Sequence, residues 1–241
     1  DADAWQPSNG DTADFVVDTG HAPLGDPEPQ DLGIAVSEIW PGQSGSDITE
    51  DWFEITNTGD ETLDFGQTPL YYDDDSANPE EAAQVQGLTT LAPGATAIVM
   101  VDGDAQAVEA FRQAWGANGD LDGVEVGYTG DAAGLSGGGD QVTLWLGEPG
   151  RDTLAAMAAY PDTDANDAAS WDVTQQRFTT LEDGGVESEA LGGDDDATPA
   201  VATPGRVTGN AGGEVGQGGL LISEYVEGSG YNKAIELTNT G

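Results

Sequence analysis

Two short pieces of sequence occur twice in this chain, in the same order, and they constrain its fold more than any other feature. Ile34-Ala35-Val36-Ser37-Glu38-Ile39 recurs as Leu220-Leu221-Ile222-Ser223-Glu224-Tyr225, and Phe53-Glu54-Ile55-Thr56-Asn57-Thr58-Gly59 recurs as Ile235-Glu236-Leu237-Thr238-Asn239-Thr240-Gly241. Glu38 and Glu54 are 16 positions apart, whereas Glu224 and Glu236 are 12 apart. Constant ends around an interval of changing length imply two fixed strands joined by a variable loop. Phe53 and Ile55 alternate with Glu54 and Thr56, which is the period of a half-buried strand. Asn57-Thr58-Gly59 then supplies a turn in which glycine is free to take a positive φ. The repeat predicts that a second copy of one β module begins near Leu220.

Between the copies, Leu63–Phe65, Leu70–Tyr72, Thr96–Val101, Val124–Tyr128 and Gln141–Leu146 read as short strands separated by Gly, Pro and Asp clusters. Val142, Leu144 and Leu146 alternate on one face, while Ala97–Val101 is apolar throughout and is expected to be a central strand covered on both sides. One helix interrupts the strands. Asp104 caps it, Val108, Phe111 and Trp115 recur at helical spacing, and Gly116 ends it. Thr153–Tyr160 favours helix by composition but follows a Gly147–Gly150 turn, so it is read as the return strand of a hairpin.

Charge narrows the partners. The chain carries 46 Asp and Glu against 5 Lys and Arg, a formal net charge of −41. Nucleic acid binding needs Lys and Arg to displace counterions from phosphates, so direct nucleic acid binding is not expected. A folded chain of this mass exposes roughly 10,000 Å², which spaces the net charges about 16 Å apart, beyond the Debye length of about 8 Å at physiological salt and well inside the roughly 30 Å at 0.01 M. Self-repulsion is thus predicted to be tolerable in brine and severe at low salt, which points to a salt-adapted organism or a secreted protein bathed in divalent cations. Val, Ile, Leu and Phe supply 25 of the 115 residues from Leu32 to Leu146 but 19 of the other 126, so the middle stretch is where a core is expected. No apolar run approaches the roughly 20 residues that cross a bilayer.

Gly134-Leu135-Ser136-Gly137-Gly138 matches the nucleophile-elbow spacing, but the single histidine, His21, lies upstream and a strand follows, so a Gly-rich hairpin loop is expected there. With one His and no Cys, zinc is excluded in practice. Oxygen ligands for calcium abound. Asp162-Thr163-Asp164-Ala165-Asn166-Asp167 starts like an EF-hand loop but lacks its glycine and its closing glutamate. Asp73, Asp74 and Asp75, together with Asp102 and Asp104, are the better calcium candidates, set against a simple solvated acidic face. Glu38 and Glu54, expected on paired strands, have the makings of a two-carboxylate hydrolytic site, although their recurrence as Glu224 and Glu236 favours a structural use. Trp40, Trp52, Trp115 and Trp145 are expected mainly in the core, although Trp52 and Trp145 fall on the strand face opposite their apolar neighbours and are the two candidates for exposure.

Ser37-Glu38, Trp52–Gly59, Leu91-Ala92-Pro93-Gly94 before an apolar strand, and Asp140–Leu146 occur in the order of the bacterial lamin-tail domain, and residues 32–207 resemble that family. Trp171 and Thr203-Pro204-Gly205 are similar to its closing segment, and Ile222–Glu236 to the copies found in large secreted nucleases and related phosphoesterases. The resemblance implies a mainly β fold, an immunoglobulin-like antiparallel β-sandwich in two packed sheets, with one inserted helix and flexible acidic linkers. It implies a non-catalytic accessory module, for binding or as a spacer, secreted or at the cell surface, whose partners are other domains of the same polypeptide and possible cations or an extracellular polymer. The expected organisation is a tail of a preceding module or linker at 1–30, the module at 31–207, a Gly-rich linker at 208–219 and the start of a second copy at 220–241. The acidic, Gly-rich stretch from Gly192 to Gly219 is expected to be mobile. The chain is read as a piece of a larger polypeptide. A calcium-stabilised adhesive module and a carboxylate-dependent hydrolase are the alternatives.

Overall fold

The computed structural model describes residues 27–42, 48–118, 121–163, 168–189, 199–206, 220–227 and 233–239. The strands are β1 (Ile34–Trp40), β2 (Trp52–Asn57), β3 (Leu63–Asp64), β4 (Leu70–Asp73), β5 (Ala83–Gln86), β6 (Thr90–Leu91) and β7 (Thr96–Met100). After helix α1 (Ala105–Gly116) come β8 (Glu125–Thr129), β9 (Asp140–Leu146), β10 (Leu154–Tyr160), β11 (Trp171–Asp172), β12 (Arg177–Phe178), β13 (Val186–Glu187), β14 (Val201–Ala202), β15 (Leu220–Glu227) and β16 (Lys233–Asn239). The domain is mainly β, sandwich-like, with a single α-helix among the described residues.

Ten strands form one sheet in the order β10-β9-β4-β5-β8-β7-β2-β1-β11-β12. This differs from the expected pair of separate antiparallel sheets in two ways. The sheet is continuous and curls so that β10 packs back against β1, with the Gln30 N–H donating to the Leu154 carbonyl at 2.8 Å. One pair, β7 with β8, is parallel. The helix causes the parallel pair. A parallel neighbour needs a crossover connection, and the 12 residues of α1 span about 18 Å at 1.5 Å per residue, close to the roughly 17 Å of a five-residue strand. Asp104 caps α1 as expected, accepting from the Gln106 and Ala107 amides at 2.7 and 3.1 Å. The helix ends on Gly116 with Ala117 still right-handed, so no left-handed glycine is used there.

The central strands are covered on both faces. Ala97 and Val99 join one apolar cluster with Val36, Ile39, Phe53, Ile55, Tyr72, Val142 and Leu144, inside the curl of the sheet. Ile98 and Met100 join a second cluster with Trp40, Trp52, Phe111 and Trp115, beneath α1. β7 is therefore the doubly covered strand that its unbroken apolar run predicts. Trp52 corrects the expectation of exposure: it is fully buried, 5.8 Å from Trp115 and 5.5 Å from Phe111 between ring centroids, both edge-on. The residues opposite its apolar neighbours face a second core, which strand alternation alone cannot reveal. Trp145 is buried as well.

Leu154–Tyr160 is a strand, as read. Gly59 of the Asn57-Thr58-Gly59 turn does not take a positive φ; Gly33, which precedes β1 and packs against the turn, does, at 73°. Gly59 is needed for closeness, since a Cβ there would lie 3.3 Å from the Gly33 Cα, while the Asn57 side chain donates to the Glu61 and Leu91 carbonyls and accepts from the Gly59 amide. Within the stretch expected to be mobile, residues 199–206 are instead ordered: β14 pairs with β13, and Ala200, Ala202 and Thr203 are buried. Small residues that look like linker in a sequence also fit a tightly covered edge. His21, residues 1–26, the Asp164–Asp167 part of the EF-hand-like run and the linker at 208–219 lie outside the described residues.

Candidate functional site

The signature residues Ser37, Glu38 and Glu54 are held together by an irregularity in β1. The β1–β2 register runs Val36 opposite Ile55, then Glu38 opposite Glu54, then Trp40 opposite Trp52, with a bulge between Val36 and Glu38. A bulge sets two residues of one strand against one of its partner, and Ser37 and Glu38 both reach the face that carries Glu54 and Trp52. β11 adds Asp172 directly opposite Glu38. The result is a row of three acidic residues across β11, β1 and β2, with exposures of 3%, 2% and 0%.

The oxygens of this row are met by donors from distant parts of the chain. Glu38 Oε1 accepts from the Thr203 amide at 2.8 Å, the Thr203 hydroxyl at 2.9 Å, the Ser170 hydroxyl and the Thr179 hydroxyl at 3.3 Å. Glu54 Oε1 accepts from the Ser37 hydroxyl at 2.5 Å, and its Oε2 from the Gly205 amide at 2.7 Å. Glu38 Oε2 is buried and has no hydrogen-bond partner. Burial is the main influence on both groups. It pushes Glu38 up to about 7, assisted by the Asp172 charge and opposed by the Ser170 and Thr203 donors. It raises Glu54 well above the usual carboxylate range, with the Glu38 charge next in importance.

A glycosidase-type pair must reach its substrate and a water molecule, whereas these two carboxyls are covered by residues 168–172 and 199–206. Their oxygens serve the fold. Thr203 and Gly205 belong to the segment whose resemblance was noted in the sequence; Ser170, Thr179 and Asp172 carried no signal, because a lone hydroxyl or an aspartate beside a tryptophan is common anywhere. β15 and β16 repeat the arrangement in their backbones: Glu224 lies opposite Glu236, with the same bulge between Ile222 and Glu224.

The calcium candidates are split. Asp73 is buried at the end of β4 and accepts from the Ser76 hydroxyl and the Asn78 amide at 2.6 and 2.7 Å. Asp102 and Asp104 line a different cleft with Glu50 at the start of α1, Asp104 being its cap. Asp74 and Asp75 do meet a third carboxylate, Asp140 at the start of β9, with one oxygen of each within 4.8 Å of the others. Asp140 already accepts from the Asp75, Gln141 and Ser136 amides. The Gly134–Gly138 run is a loop with no strand-to-helix turn, but it is not the expected hairpin, because β8 and β9, which it joins, pair with other strands. No described helix is long and apolar enough to cross a membrane. Compared with known protein families, curated proteins and solved structures, the chain gives no match.

Proposed function

We propose that this chain is a non-catalytic accessory module of the lamin-tail type, repeated in tandem within a secreted, salt-adapted multidomain protein, an extracellular nuclease or phosphoesterase whose catalytic domain lies outside these 241 residues. The observation that carries this reading is the use of Glu38 and Glu54. The carboxyl pair at the heart of the repeated signature is buried and spent on hydrogen bonds within the domain, so what the repeat preserves is a fold. The backbone of β15 and β16 supports it by repeating the same bulge and glutamate register.

Few cations are left for phosphate recognition. Arg177 pairs with Asp183 at 2.8 Å, and Arg112 donates to the Val124 carbonyl at 2.8 Å. Phosphodiester cleavage needs positive charge at the developing oxyanion. Incubated with DNA or RNA in calcium or magnesium, the purified chain is expected neither to bind nor to cut. Turnover abolished by changing Asp73, Asp74 and Asp75 together to Asn would overturn the reading and place chemistry at the end of β4. A melting midpoint raised by calcium beyond the effect of sodium chloride at equal ionic strength would favour the calcium-stabilised adhesive module instead.

A further inference from the structure

The segment Thr203–Arg206 is tied down through the two buried glutamates: the Thr203 amide and hydroxyl bond Glu38, and the Gly205 amide bonds Glu54. The pattern of donors locates a proton. Both oxygens of Glu54 accept, and Glu38 Oε1 takes an amide and three hydroxyls, yet Glu38 Oε2 receives nothing although it is buried. An ionised carboxylate oxygen left without a donor away from water is costly, whereas a protonated one becomes a donor, and carboxyls lie across the register on both sides, Glu54 on β2 and Asp172 on β11. We propose that the pair of Glu38 and Glu54 retains one proton, carried on Glu38 Oε2, and forms a proton-dependent latch on residues 203–206 that loosens when the proton leaves.

Among the described residues, the groups facing the pair are acidic, hydroxyl, amide or apolar. From β11 comes Asp172, from β7 the apolar Ile98 opposite Glu54, from β1 the Ser37 hydroxyl, and from the covering segments Ser170, Thr179, Thr203 and the amides of Gly205 and Arg206. The Arg206 residue itself is exposed, and no cation stands among the principal influences on either carboxyl. Two like charges confronted in a buried site cannot both ionise cheaply. Because the folded pair holds its proton more tightly than an unfolded glutamate with its ordinary value of 4.5, the latch is at full strength below that pH and weakens as the pH rises through about 7.

The test uses the intact chain in about 1 M sodium chloride, where surface charge is screened within about 3 Å. Carboxyl-carbon NMR is expected to show at least one of Glu38 and Glu54 still protonated at pH 6; both ionised at that pH would overturn the proposal. Amide exchange gives the functional readout. After correction for intrinsic rates, protection of Thr203 and Gly205 is expected to fall at least about tenfold between pH 6 and pH 9, one pKa unit corresponding to tenfold. In Glu38→Gln, whose amide reproduces the protonated acid, that fall is expected to vanish while protection at pH 6 is kept. Protection independent of pH in the unmodified chain, or an equal fall in Glu38→Gln, would overturn the latch. Should Glu38→Gln fail to fold, the NMR and exchange arms on the unmodified chain decide alone.

Discussion

Glu38 with Glu54, and Asp74 with Asp75 and Asp140, are both sets of acidic side chains held within reach of one another, yet they behave as opposites. The first set is covered by residues 168–172 and 199–206, its oxygens met by hydroxyls and backbone amides, and its protons are held tightly. The second lies at the rim where β4 ends and β9 begins, with Asp75 exposed and Asp74 and Asp140 half-buried. The difference teaches that in a chain with a net charge of −41, burial rather than the number of carboxylates decides which of them carry specific energy. At the rim, water and salt absorb the repulsion; in the covered row, only donors and a proton can.

The largest expected effect breaks the buried side. Glu54→Ala leaves the Ser37 hydroxyl and the Gly205 amide without their acceptor, so it is expected to cost about 3 kcal/mol, read as a fall of roughly 6–12 °C in melting midpoint for a chain of this size. A loss below about 0.5 kcal/mol would mean that the row contributes no more than a surface site. That cost is expected to be the same in 0.01 M and molar sodium chloride.

Salt acts on the other side of the comparison. Raising sodium chloride from about 0.01 M to about 1 M shortens the Debye length from roughly 30 Å to 3 Å, and the whole chain is expected to gain about 2 kcal/mol, or some 4–8 °C. A midpoint indifferent to salt would show the surface carboxylates to be already neutralised. The smallest effect sharpens the rim itself. Asp75→Asn is expected to stabilise by no more than about 0.5 kcal/mol at low salt and by nothing measurable at molar salt, as urea titrations at both salts would show. A destabilisation that appears only when calcium is present would instead mark the three aspartates as ligands.

The strands of the signature were legible because their information is local. Phe53 and Ile55 alternate with Glu54, Ala97–Val101 is apolar without a break, and Asp104 precedes a helical stripe ending in Trp115, so local pattern and capping determined β2, β7 and α1. The short strands β5, β6 and β11 to β14 escaped, whereas the equally short β3 and β4 were read from their apolar residues between Gly, Pro and Asp clusters. The repeat likewise marked Glu38 and Glu54 as residues that matter, and strand pairing brought them together as expected.

What they do was decided only by the tertiary structure. Ser170, Thr179, Thr203 and Gly205 stand up to 165 positions from Glu38 or Glu54 in the chain, and nothing in their own sequence neighbourhoods announces a partner. The same holds for Trp52, whose face of β2 reads as solvent until α1 is laid across it. Local sequence sets which way a side chain points along its strand. Whether that direction leads to water, to a second core or to a buried carboxyl depends on which distant segment folds over it, and that is a property of packing rather than of period.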